Sequence, residues 1–325
     1  MRALVVGIGG GGDVAAAYCV AKYLEKLGYE VILGSVVWER LVRDPVPGPI
    51  GLEELKGCEM RNYYCIANGD EFAIRKGKEV VPQASKLARA AKVQVLIFDL
   101  KKGFEGMLKV FEEAIKDYNV DAVYAVDAGG DVLAKPQDDE VWSPLADALG
   151  LAALKEVKVK EKVLAIFGPG CDGELPQEKV LERVAEVWRA GGNKGGFVLS
   201  RELAEECLKI INSMDTEASK MAVLAALGEY GEVKIRRGAR RLFLNPITAT
   251  TFFLDAEKVR SELAERVKGT KDINEARKRL NEICVYTELD FEEDLVREGS
   301  EDVLKVREEG LKRIRGSCLK RVPSP

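Results

Sequence analysis

Short, almost uninterrupted apolar runs recur along the first half of the chain. Each is followed by a stretch whose apolar positions fall at helical spacing. Leu4-Val5-Val6 is the first run, and a helical pattern opens at Val14. Val31 to Val37, Val93 to Phe98, Ala122 to Val126 and Val163 to Phe167 repeat the run, with helical patterns predicted at 83–92 and 104–118. Strands with no polar face must be covered on both sides. The pattern therefore predicts an α/β fold: a mostly parallel sheet with helices on both faces. Asp44 to Pro49 reads as a surface loop, and 58–66 and 72–81 as short strands joined by Asn68-Gly69-Asp70. The second half is more helical, with helices expected at 176–190, 201–212 and 216–227 and short strands at 233–236 and 242–244. Residues 245–253 read as a threonine-rich loop or an edge strand. Beyond them lie charged helices at 256–267, 273–284 and 300–314, read as solvated faces. The expected division is an α/β domain over 1–255 that binds metal and phosphate, with a helical segment over 256–325 packed on it. Val322 to Pro325 should fray.

Chemistry concentrates where strands end. The first run leads into Gly7, Gly9, Gly10, Gly11 and Gly12, closing on Asp13. The spacing Gly7-x-Gly9-x-x-Gly12 fits a dinucleotide turn, but Asp13 stands where a pyrophosphate would lie and the second strand ends without a prompt acid, Glu39 coming late. As the residue that opens a helix, Asp13 also suits a simple N-cap. Two later strands end in the same way. One runs into Asp127-Ala128-Gly129-Gly130-Asp131, the other into Gly168-Pro169-Gly170-Cys171-Asp172-Gly173-Glu174. In a parallel sheet the loops that follow strands gather at one edge. Asp13, Asp127, Asp131, Asp172 and Glu174 are thus expected to face one crevice, where their repulsion calls for protons or a divalent cation. Oxygen-only ligation suits Mn²⁺ or Mg²⁺. Asp131 and Glu174 are the candidate catalytic acids, and Glu217, one turn into a helix, is a further candidate ligand. Gly9, Gly10, Gly11, Gly12, Gly129, Gly130, Gly168 and Gly170 are candidates to cradle phosphate through their amides. Asp138 to Asp147 reads as an acidic loop before a helix that brings Ser143 to the crevice, and Lys135 as a phosphate contact.

Composition narrows the chemistry. The chain of 325 residues contains no histidine, so Ser-His-Asp and Cys-His catalysis and histidine-ligated metal are excluded. Fifty basic residues nearly balance 54 acidic ones, which gives no electrostatic case for a nucleic acid or membrane partner. The expected partner is a small phosphorylated or acidic metabolite, with a homo-oligomer open. Seven cysteines without a CxxC pattern read as reduced, mostly buried thiols. Cys171 lies in a turn with no histidine to activate it. No run spans a bilayer and no signal-peptide pattern precedes the first strand, so the cytoplasm is expected. Abundant Lys, Glu and Arg suggest a heat-adapted source.

The motifs GIGGGGD, DAGGDVL, GPGCDGEL and DTEASKMAVLAALG resemble those of an archaeal and bacterial family known as domain of unknown function 1152, from Val5 to about Phe253. That resemblance implies a fold and no activity. A looser similarity to proteins labelled D-glutamate cyclase rests on the glycine–acid turns. Their glycine-glycine-asparagine-glutamate core is replaced here by Gly129-Gly130-Asp131-Val132. Relatives of that group include metal-dependent phosphatase candidates. The expectation is a Mn²⁺- or Mg²⁺-dependent hydrolase, a phosphatase of a small compound. A cyclase or lyase of a small amino acid and a non-catalytic nucleotide-binding module are the alternatives.

Overall fold

The apolar runs lie side by side in one sheet. The computed structural model describes residues 1–319; Val322 to Pro325, expected to fray, lie outside them. The first half contains β1 (Arg2–Gly7), α1 (Val14–Lys26), β2 (Glu30–Val36), β3 (Leu55–Lys56), β4 (Glu59–Met60), β5 (Tyr64–Ala67), β6 (Phe72–Arg75) and β7 (Lys78–Val80). It continues with α2 (Gln83–Ala91), β8 (Val95–Phe98), α3 (Gly103–Tyr118), β9 (Ala122–Ala128), α4 (Pro144–Glu156) and β10 (Glu161–Phe167). Next come α5 (Gln177–Arg189), β11 (Asn193–Val198), α6 (Arg201–Ile211), α7 (Ala218–Ala226), β12 (Gly231–Ile235), β13 (Arg240–Leu244) and β14 (Thr250–Asp255). The chain ends in α8 (Glu262–Val267), α9 (Ile273–Glu282), α10 (Glu288–Glu298) and α11 (Val303–Leu319).

The main sheet has nine strands in the order β11-β14-β10-β9-β1-β2-β8-β5-β4. Its five central strands, β10 to β8 in that order, pair in parallel. The flanking strands are antiparallel. Alternation along β1 separates two cores. Leu4 and Val6 join one, with side chains from α3, α4, α5, α8 and α9. Ala3 and Val5 join the other, with α1, α2, α6 and α7. Each buried aliphatic side chain contributes roughly 1.5–3 kcal/mol, so covering both faces is what makes an all-apolar strand favourable. No helix among the described residues is long and apolar enough to cross a membrane.

Three expectations are corrected. The threonine-rich stretch is not an edge: β14 lies between β10 and β11, and its buried Thr251, Phe253 and Leu254 face neighbours on both sides. The C-terminal charges are not all solvated. Helix α10, which no apolar periodicity announced, buries Glu288 and Glu292 against partners in distant segments, and Asp290 and Asp294 against neighbours such as Thr287, Asn281, Tyr286 and Arg313. The cysteines are not all free. Cys58 and Cys65 are bonded across the β4–β5 hairpin, and Cys284 is bonded to Cys318, with Cα atoms 5.9 and 5.5 Å apart. Cys19, Cys171 and Cys207 remain free and buried. Chain folding, which spacing does not encode, brings the paired residues together.

The disulfides close loops of 7 and 34 residues, which corresponds to about 2 and 4 kcal/mol of chain entropy. Unreduced, denatured protein should therefore titrate three thiols, and reduction should lower its thermal midpoint. Seven thiols before reduction would contradict the pairing.

Candidate metal and anion site

Parallel strands deliver their following loops to one edge, and the acids meet there. Asp13 follows β1, Asp127 and Asp131 lie at the end of β9 and just past it, and Asp172 and Glu174 follow β10. They form two groups, Asp13-Asp127-Asp147 and Asp131-Asp172-Glu174, with carboxylate oxygens within 4.8 Å of one another in each. Asp127 Oδ2 accepts from the Val132 amide at 3.2 Å, and Asp131 Oδ2 from the Ser143 hydroxyl at 3.4 Å. The sixth acid, Asp147, arrives on the first turns of α4.

Two glycines make this convergence possible. A Cβ on Gly9 would lie 2.6 Å from both Asp13 Oδ2 and Asp147 Oδ1. Gly129 has φ +124°, and a Cβ there would lie 2.2 Å from the Asp172 carboxyl. Asp13 occupies the N-cap position of α1 but makes no capping hydrogen bond. Its Oδ2 instead accepts from the Gly9 amide at 2.9 Å.

The electrostatics are severe. Asp147 Oδ1 and both oxygens of Asp172 are buried and accept no hydrogen bond. A buried, uncompensated carboxylate is disfavoured by several kcal/mol, so it takes up a proton or a cation. Burial, followed by neighbouring carboxylates, pushes Asp13, Asp131, Asp147 and Asp172 well above the ordinary range. Burial likewise lifts Asp127 to about 6. Glu174 is the exception. Burial works against its charge, yet the Arg240 guanidinium at 2.6 Å, the Trp142 and Ser143 amides at 2.6 and 3.0 Å, and the Ser143 hydroxyl at 2.8 Å hold it down to about 2. Glu174 is thus the one member of the cluster held as an anion.

Arginines line the same cavity, whose volume is about 650 Å³. Arg40 lies over the Trp38 ring at 4.3 Å and donates to the Gly9 carbonyl at 2.8 Å, while its buried Nη1 makes no hydrogen bond. Arg240 leaves its buried Nε unpartnered. Arg236 sits in the β12–β13 turn, its pKa lowered by burial and by Arg240. Arg236 and Arg237 adopt φ of +53° and +54°, a left-handed conformation uncommon outside glycine. Glu288 accepts from the Leu145 and Ala146 amides, both at 2.9 Å, and so caps the helix that carries Asp147. Glu292 accepts from Trp38 Nε1 at 3.0 Å and the Gly48 amide at 2.8 Å.

Not every candidate joins. Gly9 to Gly12 line the cavity; Gly129, Gly130, Gly168 and Gly170 do not. The amides of Gly129, Gly168 and Gly170 donate to the Phe167, Thr250 and Gly129 carbonyls, so these glycines bind neighbouring turns rather than a ligand. Glu217 borders the cavity but accepts from the Arg236 amide at 3.1 Å and belongs to neither carboxylate group. Lys135 pairs with Glu186 at 3.1 Å, outside the cavity. Glu39, the late acid of the second strand, is buried and accepts from the Gln83 amide at 3.0 Å. Burial raises the Cys171 thiol, which suits an inert side chain. The sequence reading missed Asp147, Glu288, Glu292 and the arginines. A signal existed for two of these: Pro144 starts a helix with Asp147 in its first turn, and the arginine-rich run Arg236-Arg237-Gly238-Ala239-Arg240-Arg241 covers the turn between β12 and β13 and the start of β13.

These shifts fix a pH dependence. A carboxyl raised in the folded state stabilises the fold below its unfolded pKa, and that stability is lost as pH rises through the folded value. For Asp127, shifted from 3.8 to about 6, the loss is roughly 3 kcal/mol. Glu174 has the opposite sign, but its stability is lost only as pH falls toward about 2. In EDTA the thermal midpoint should therefore fall as pH rises through about 6. A midpoint in EDTA that stays level or rises there contradicts the electrostatics described.

No curated protein matches the chain, and no solved structure does. A family model described as "Protein of unknown function (DUF1152)" matches residues 4–296. The match runs from β1 into α10 and takes in all six carboxylates together with Arg40, Arg236, Arg240, Glu288 and Glu292. The chain belongs to the DUF1152 family.

Proposed function

We propose that this protein is a divalent-cation-dependent hydrolase of a small phosphorylated compound. One observation carries the reading. Buried carboxylate oxygens that accept nothing, on Asp147 and Asp172, share a cavity with buried guanidinium nitrogens that make no hydrogen bond, Arg40 Nη1, 3.5 Å from Glu288, and Nε of Arg240, whose Nη1 pairs with Glu174. The first set calls for a cation and the second for an anion, and a phosphoryl group on a divalent ion satisfies both. The donors are all oxygen, which suits Mn²⁺ or Mg²⁺. Asp13, Asp127 and Asp147 would hold one ion, and Asp131, Asp172 and Glu174 a second. Such an ion, when bound, supplies Lewis acidity and acidifies water, a role histidine cannot fill in this chain.

The chain's own groups do the rest. Arg40, Arg236 and Arg240 bind phosphoryl oxygens through charge-assisted hydrogen bonds. Asp131 Oδ2 lies 3.4 Å from the Ser143 hydroxyl. Glu174 keeps the Trp142–Ser143 turn and Arg240 in place.

Phosphate release from a panel of small phosphoesters tests the reading. Release should require Mn²⁺ or Mg²⁺ and stop in EDTA. Asp172→Asn should lower kcat/KM by about 100-fold. Arg40→Ala should lower it by roughly 10- to 100-fold through KM, the effect of one hydrogen bond to a charged group. Activity that ignores EDTA, or survives Asp131→Asn unchanged, contradicts the proposal.

A further inference from the structure

One wall of the cavity is apolar, and cleavage of a phosphoester does not itself require such a wall. The cavity-facing residues of α10 are Glu288, Phe291, Glu292 and Leu295, spaced as one helix face. The chemistry of that face changes along the axis. Glu288 is buried at the floor, tied to the first amides of α4. Phe291 stands edge-on to Trp142, with ring centroids 5.2 Å apart, and Leu295 follows one turn on. Glu288 to Leu295 spans about 10 Å of helix. Val303 and Leu304 of α11 also line the cavity, as do Leu41 and Val42, which follow Arg40; the charged Arg43, Glu301 and Asp302 border it beside them. Val42 is 59% exposed and Leu304 54%. Single exposed aliphatic residues are ordinary. Six apolar side chains bordering one cavity with an ionic floor form a binding surface.

We infer that the ligand is amphiphilic: a phosphoryl group at the floor joined to an apolar group that lies along α10 toward Leu304. The inference rests on the reading that the floor takes a phosphoryl group, and it adds the substrate class, a phosphate ester of an apolar alcohol. A sugar or polyol phosphate would set its hydroxyls against Phe291, Leu295 and Leu304, which offer side-chain hydroxyls no hydrogen-bond partner. An alkyl chain gains burial with every carbon.

Calorimetric binding of methyl, butyl, hexyl and glycerol phosphates to the full chain in Mn²⁺, with turnover followed in parallel, tests this. Affinity should rise roughly two- to fourfold per methylene, and glycerol phosphate should bind no better than methyl phosphate. Leu304→Asp, at a half-exposed position where the fold tolerates charge, should flatten the rise. Graded binding without turnover keeps the amphiphile and overturns the hydrolase. Turnover with equal affinity for methyl and hexyl phosphates keeps the hydrolase and overturns the amphiphile. Self-association abolished by Leu304→Asp would then assign the rim to a second copy of the chain. A slope in Leu304→Asp as steep as in the native protein overturns the placement along this wall, and binding of no alkyl phosphate overturns both readings.

Discussion

Repulsion among six carboxylates gathered at one cavity is the constraint on which the rest of the structure depends. Two unit charges 4 Å apart interact by about 4 kcal/mol at the effective dielectric of a protein surface, and here each acid has two carboxylate neighbours within 4.8 Å. Nothing in the hydrophobic cores needs this arrangement. It persists because the sheet leaves little choice: β1, β9 and β10 are adjacent and parallel, so the acids that follow them arrive together. Gly9 and Gly129 then remove the side chains that would have kept the acids apart.

The surrounding charges divide the cluster into parts with different duties. Arg240 and the Trp142–Ser143 turn make Glu174 a permanent anion, whereas Asp147 and Asp172 are left without partners. Helix α10 acts at a distance. Glu288 caps α4 and approaches Arg40 at 3.5 Å, so one residue of the C-terminal segment helps place both Asp147 and the arginine that faces it. The segment beyond residue 255 is thus part of the site's construction, in keeping with a family match that continues to residue 296.

Much of this was legible in the sequence. The parallel core followed from apolar runs at 4–6, 31–37, 93–98, 122–126 and 163–167, because a strand buried on both faces leaves no polar alternation. The convergence of Asp13, Asp127, Asp131, Asp172 and Glu174 followed from the same topology. What stayed hidden was long-range. Glu288 and Glu292 occupy a helix whose acids look solvated until Arg40, Trp38 and the α4 amides are brought beside them. Asp147 was visible only as the end of an acidic loop, because its role depends on where α4 docks. The glycines of the second and third turns misled in a simpler way: a glycine that lets two turns approach looks in sequence like one that lets a ligand approach.

The central claim is that the two carboxylate groups exist to hold cations. Diffraction from crystals soaked in Mn²⁺, recorded with the anomalous signal of that metal, tests it most directly. The account predicts two peaks, one among Asp13, Asp127 and Asp147 and one among Asp131, Asp172 and Glu174. A map without a peak at either place, the carboxyls bridged to one another by protons or water, would contradict it.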